Sequence, residues 1–256
     1  MKLQVTHHTR YVYEPAVETA QHIACLKPAT SNTQALLTHS LRIEPEPSLQ
    51  LAQRDVFNNE QTFFSLQSPH GTLDVISHSI VETTALPTYP SSIPWETVRE
   101  QFRYKAGNAF DPANEFVFPS PHIKQHEDFA SYARESFPAG RPLLQAAQNL
   151  MHRIHTDFTY ESNSTEINTP ALDALSERRG VCQDFAHIMI ACLRSMGLPA
   201  RYVSGYLLTH PAPGKERLIG SDASHAWVSV YLPDLPGVSD GSGWWDLDPT
   251  NDKDRK

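Results

Sequence analysis

Cysteine is scarce in this chain: Cys25, Cys182 and Cys192 are the only three in 256 residues. So odd and sparse a set argues against a disulfide framework and suits a reducing compartment, and each thiol has to be judged singly. Long apolar runs are missing as well. No uninterrupted stretch approaches the roughly 20 residues of a membrane helix, and the longest candidates carry Asp, His or Arg within them. The opening segment, MKLQVTHHTRYVYEP, lacks the basic stub and apolar run of a secretory signal. Together these absences predict a cytoplasmic protein without a membrane partner. Positive charge is in deficit too, with 21 Lys plus Arg against 29 Asp plus Glu and a formal net charge of -8. No basic patch offsets it, which argues against a nucleic-acid partner. Metal-ligand motifs are equally thin. His122 and His126 have i, i+4 spacing, but no third ligand motif accompanies them in proline-rich surroundings, so a solvated pair is expected. Nothing calls for a metal or organic cofactor.

What is present divides the chain. A length of 256 residues favours two domains. Residues 1–86 read as an antiparallel β domain: LQVTHHTRYVY, ETAQHIACLKP, LLTHSLRIEP, Gln61 to Gln67 and Leu73 to Val81, separated by turn formers such as Asn58-Asn59 and Pro69-His70-Gly71. Residues 87–121 are proline-rich and read as a connection, with a short helix around Trp95 to Tyr104. From 122 to 256 the period becomes helical. Leu143, Ala147, Leu150, Met151, Ile154 and Phe158 mark one amphipathic helix. A short second helix is expected from Thr169 as N-cap and Pro170 at the first position to the Arg178-Arg179-Gly180 stop, where the two arginines complement the helix dipole. A third runs from about Cys182 to Met196, with Gly197 and Pro199 ending it. Three strands follow, Ala200 to Leu208, His225 to Leu232 and Trp244 to Asp248. Helices first and strands later predict an α+β core.

One constellation in that core carries chemistry. Cys182 stands at a helix start, where unpaired amides and the helix dipole favour a thiolate and can stabilise an oxyanion. A lone cysteine is more often just a small buried residue, and that is the expectation for Cys192 and Cys25. His225 opens the strand HAWVSVYL, whose alternation puts Ala226, Val228, Val230 and Leu232 toward the core and leaves His225 and Trp227 facing a cleft. In WWDLDPTN, Trp244, Asp246 and Asp248 share a face, and either aspartate could orient an imidazole. Alternation does not choose between them, and Asp234 and Asp240 are further rivals. Tyr160 is expected to pack. Trp227 and Trp244 are equally well read as walls of an acyl tunnel or as core, and the loop Thr209 to Asp222 as a lid.

The run GVCQDFAHIMIACLRSMGLPARYVSGYL, followed by SHAWVSVYLP and GWWDLDPTN, resembles the core motif set of bacterial transglutaminase-like proteins. Three separated motifs stand in the family's order, with His225 43 residues after Cys182 and Asp248 23 residues after His225. The resemblance implies Cys182 as nucleophile, His225 as general base and acid, and Asp248 as the orienting carboxylate, with Asp246 a neighbour. Residues 1–86 are similar to the β domain that precedes this core in many bacterial members, although Asn58 stands where a glycine is common. The fold implied is an N-terminal antiparallel β domain followed by a papain-like, transglutaminase-like core. The activity implied is acyl transfer or hydrolysis at peptide or glutamine-type amides through a thioester, an amidase or cysteine peptidase in first place. A true transglutaminase with an amine acceptor and a noncatalytic module keeping the fold are the alternatives. The partner implied is a protein or peptide substrate.

Overall fold

The structure, a computed structural model, describes residues 1–84, 91–107, 110–161, 169–208, 219, 224–235 and 243–254. The chain forms two compact units, Met1–Pro87 and Thr88–Lys256.

The first unit is all β. Strands β1 (Lys2–Val17), β2 (Ala20–Ala24), β3 (Gln34–Glu44), β4 (Leu49–Arg54), β5 (Glu60–Leu66) and β6 (His70–Thr83) form two three-stranded sheets, ordered β1-β6-β3 and β2-β5-β4. Period-two patterning buries Ile43, Phe64, Leu66, Leu73 and Val75 as a small core. The turn after β4 is built on an asparagine in the left-handed region. Asn58 adopts φ 66, a conformation asparagine tolerates, and the Asp55 carboxylate accepts the amides of Phe57 at 2.9 Å and Asn59 at 2.8 Å. Cys25 lies just beyond β2 and is exposed, so the expectation that it is core fails: the strand ends one residue before it.

The second unit contains α1 (Trp95–Phe102), a 3-10 turn at Pro112–Phe116, α2 (Glu127–Arg134), α3 (Leu143–Asp157), β7 (Thr159–Tyr160), α4 (Ala171–Glu177), β8 (Arg179–Gly180), α5 (Cys182–Ser195), β9 (Ala200–Tyr206), β10 (Ser224–Tyr231), β11 (Trp244–Asp248) and β12 (Lys253–Asp254). An antiparallel sheet of order β12-β11-β10-β9 packs on α5, which also touches α2, α3 and α4. Its centrality follows from composition: Phe185, Ile188, Met189, Ile190, Cys192 and Leu193 are all at most 2% exposed. Each such aliphatic or aromatic side chain contributes about 1.5–3 kcal/mol by leaving water. The helix stops at Gly197, φ 77, which only glycine adopts without strain.

The segment read as a connection belongs to this core. Trp95, Val98, Phe102 and Ala113 are buried in it. Phe102 meets Tyr231 edge-on at 5.5 Å, Phe116 meets Trp244 at 5.1 Å, and the Ser91 hydroxyl donates to Asp234 at 3.0 Å. The short α4 starts one residue later than expected, with Pro170 at the cap position and no side-chain cap; its end is Arg178 in the left-handed region, φ 56, rather than Gly180. The Arg178 guanidinium lies over the rings of Tyr132, 4.5 Å, and Phe158, 4.9 Å, and so serves packing.

Candidate active site

The start of α5 is built by local chemistry. β7 and β8 pair in parallel, and the Glu161 amide donates to the Gly180 carbonyl at 2.9 Å, which fixes the approach to Cys182. Asp184, 1% exposed, folds back so that its Oδ2 accepts the Val181 amide at 2.8 Å, satisfying a donor that the helix cannot. Cys182 is left half-buried at the first helical position.

His225 enters from β10 and Asp248 from the end of β11. Their side chains meet at 2.8 Å, Nε2 to Oδ2, with His225 and Asp248 each 1% exposed. The other nitrogen, Nδ1, is buried and makes no further hydrogen bond among the described residues, and Cys182 is the second polar group acting on the ring. His225 and Asp248 are thus in direct contact, and Cys182 is close enough to act on the imidazole. Burial pushes the His225 imidazole pKa down, but the hydrogen bond to Asp248, with the nearby Cys182 and the Asp248 charge, outweighs it and leaves the pKa above its ordinary value.

The Asp248-Pro249-Thr250-Asn251 turn explains why this aspartate is the partner. Its Oδ1 accepts the amides of Thr250 at 3.0 Å and Asn251 at 3.3 Å, while the Asn251 side-chain amide donates to Oδ2 at 2.9 Å. Such an anchored carboxylate presents a fixed oxygen to the imidazole. The rivals are engaged elsewhere: Asp246 accepts from the Ser229 hydroxyl, and Asp234 from Ser91. Asp240 and, apart from Ile219, the loop Thr209 to Asp222 lie outside the described residues.

The expectation of a cleft-facing histidine strand needs correction. Both faces of β10 are covered, with Ser229 0% and Tyr231 5% exposed, because α1 and the 3-10 turn roof the face that alternation leaves open. Trp227 is the half-buried member, stacked beside His225 with ring centroids 6.2 Å apart. It lies over Gly205, the cross-strand partner of His225, where a Cβ would come within 2.3 Å of the indole. Trp244 is held between Phe116 and the Arg201 guanidinium, 4.2 Å from the ring, and so packs. Tyr160 packs edge-on against Phe185 at 6.4 Å.

Sequence reasoning passed over several contributors. Asp184 carried a signal, an acidic residue at the third helical position, and Asn251 carried another, its place in an Asp-x-x-Asn turn. Tyr202 carried none. Burial, then the charges of Cys182 and Asp184, push its phenol up to about 12, so it stays protonated at neutral pH. His187 stands next to it, ring centroids 5.2 Å apart, and burial together with His122 lowers its pKa to about 4. Cys192 is fully buried, which pushes its thiol up, as partial burial and Asp55 do for Cys25. Among the described residues no group of three or more His, Cys, Asp or Glu is arranged to hold a metal.

A central helix that begins at Cys182, packed on an antiparallel sheet that carries the His225–Asp248 pair, defines an α+β architecture. The chain belongs to the transglutaminase-like superfamily: residues 130–249 match that superfamily, and residues 3–82 match the bacterial transglutaminase-like N-terminal region. An uncharacterized protein of Mycobacterium tuberculosis is 42% identical over 98% of this chain and 79% of its own length. A crystal structure from Cytophaga hutchinsonii, named "Putative Cysteine Protease", superposes with a TM-score of 0.70 at 20% identity, covering 98% of this chain and 79% of that one, and shares the fold. A shorter likeness, 30% over 43% of this chain and 16% of the relative, links it to a protein-glutamine gamma-glutamyltransferase of Pseudomonas aeruginosa.

Proposed function

We propose that the protein is a thiol enzyme acting on peptide or glutamine-type amides through a thioester, with hydrolysis as its first reaction. The observation that carries this reading is the buried imidazole of His225, bound to Asp248 at 2.8 Å through Nε2 and left with only Nδ1 to serve Cys182. In this reading Nδ1 takes the thiol proton, and the Cys182 sulfur attacks the amide carbonyl. The tetrahedral oxyanion is stabilised at the first turn of α5. The imidazolium then protonates the leaving amine, and water, deprotonated by the same nitrogen, releases the acid and the thiol. Asp248 fixes the tautomer and offsets the imidazolium charge, as the third member of such a triad does. An amine acceptor in place of water would give transamidation from the same acyl-enzyme.

The test is the rate of iodoacetamide labelling at each cysteine between pH 5 and 9, resolved by peptide mass spectrometry. Fast labelling of Cys182 in the wild type, lost in His225→Ala and absent at Cys25 and Cys192, supports the reading. A Cys182 as slow as Cys192 overturns it in favour of a noncatalytic module that keeps the fold.

A further inference from the structure

The turn that anchors Asp248 is itself held from α3. Gln148, His152 and His155 stand at i, i+4 and i+7 and so share one face of that helix. They meet every second residue of the segment that follows Asp248 and Pro249. Gln148 Nε2 donates to Asp254 Oδ2 at 2.6 Å, His152 Nδ1 to Asp252 Oδ2 at 2.8 Å, and His155 Nδ1 to the Thr250 carbonyl at 3.0 Å. Carboxylate and carbonyl oxygens only accept, so both rings carry a proton on Nδ1 in these contacts.

His155 differs from the other two in what lies across from it. The Thr250 carbonyl and the Asn251 amide belong to one planar peptide unit and cannot turn independently. His155 holds the oxygen of that unit, while its N–H donates to Asp248 Oδ1 at 3.3 Å. The preceding amide, that of Thr250, reaches the same Oδ1 at 3.0 Å, and the other carboxylate oxygen lies 2.8 Å from His225 Nε2. A continuous path of hydrogen bonds thus runs from His155 through one peptide plane to the carboxylate and on to the imidazole. Thr250 is 2% and Asp248 1% exposed, which leaves little water to replace a lost link. The support is rigid, because α3 buries Leu143, Ala147, Leu150 and Ile154 completely.

Resting on the thiol-enzyme reading, we propose that His155 is a positioning residue of the active site, which through the Thr250–Asn251 peptide fixes the carboxylate of Asp248 in the orientation that serves His225. His152 and Gln148 hold the rest of the segment. Removing His155 alone therefore releases the peptide plane without detaching the segment from α3.

Two readouts on the full chain test this: the rate of iodoacetamide labelling at Cys182 near neutral pH, and the pH at which the His225 ring titrates in nuclear magnetic resonance spectra. In His155→Leu the labelling rate should fall about tenfold or more, since a misplacement of about 1 Å in such a constellation can cost about a hundredfold. The His225 ring should titrate at lower pH than in the wild type. His155→Ala, with the best of helix formers, should do the same and replaces the leucine variant if that one does not fold. His155→Asn sets an amide N–H at the same δ position and should bring both readouts back. Gln145→Gly weakens α3 at an exposed position ten residues before His155, and should leave both unchanged at the same folded fraction. Leucine and alanine variants that match the wild type, a loss that asparagine does not reverse, or an equal loss in Gln145→Gly overturns the positioning role. A wild-type Cys182 inert to iodoacetamide sinks the thiol-enzyme reading and the role with it, whereas a reactive thiol indifferent to His155 sinks the role alone.

Discussion

A side chain at position 180 and the carboxylate of Asp184 exclude one another: a Cβ on Gly180 would lie 2.7 Å from Asp184 Oδ2 and 2.8 Å from its Cβ. The glycine two residues before the cysteine is thus required by the cap that shapes the start of α5. Asp184→Ala leaves the Val181 amide without its acceptor and should cost about 1–2 kcal/mol. Gly180→Ala drives the carboxylate off its donor and should cost about 1–3 kcal/mol. Urea unfolding measures both, and each variant should also label more slowly at Cys182 than wild type at the same folded fraction.

Asp248 and Asp246 should separate cleanly. Asp248→Asn offers the imidazole the wrong partner and is expected to lower turnover by several powers of ten with the fold kept. Asp246→Asn weakens the contact with Ser229 and the attraction to Arg201, so its effect should fall on stability, about 1–2 kcal/mol, and leave Cys182 labelling intact. A damaged thiol in Asp246→Asn with a normal one in Asp248→Asn would reverse the assignment.

The raised pKa of His225 has a definite sign. A histidine that binds its proton more tightly when folded stabilises the fold fully below its unfolded value near 6.5, and that contribution fades as pH rises through the higher folded value. The difference in unfolding free energy between wild type and His225→Gln should therefore be largest below pH 6.5 and shrink above it. In nuclear magnetic resonance spectra the His225 ring should titrate above 6.5 in the wild type and at lower pH in Asp248→Asn.

His187 has the opposite sign. Its folded value near 4 means that the unfolded chain takes up a proton first, so stability is lost as pH falls from 6.5 toward 4. The groups that set this are its burial and His122, which lower the pKa, and Asp184, which opposes them. His187→Phe should flatten the acid limb of the Tm-against-pH curve between those values, and an unchanged limb would place the acid sensitivity elsewhere.

Gly205→Ala tests the seat of the imidazole. The methyl would have to displace the Trp227 ring, now 2.3 Å from its position, and Trp227 is the stacked neighbour of His225. A loss of about 1–3 kcal/mol is expected, with slower Cys182 labelling, and Trp227→Leu in the same background should restore part of the stability.

Long, strongly periodic elements were legible from the sequence, and edges were not. α3 and α5 were readable because their apolar stripes run for four turns, and β11 because alternation, a glycine before it and an Asp-Pro turn after it agree. α2 escaped notice with eight residues and three buried side chains, as did β4, which is exposed at every position and offers no alternation. The roof over β10 was illegible for a different reason: its prolines speak of breaks in regular structure, while Phe102 and Phe116 acquire their meaning only from Tyr231 and Trp244, more than a hundred residues away. The meeting of Cys182, His225 and Asp248 was foreseeable in its members. Its selectivity for Asp248 over Asp246 lies in the hydrogen bonds of Thr250 and Asn251, which strand parity does not encode.

The roof also decides where the molecule can be cut. A polypeptide beginning at residue 122, where helical patterning sets in, would present the faces of Tyr231 and Trp244 to water and leave Asp234 without the Ser91 hydroxyl. Such a fragment invites self-association through its exposed aromatic rings, whereas one that starts upstream of Ser91 keeps Phe102 against Tyr231 and Phe116 against Trp244.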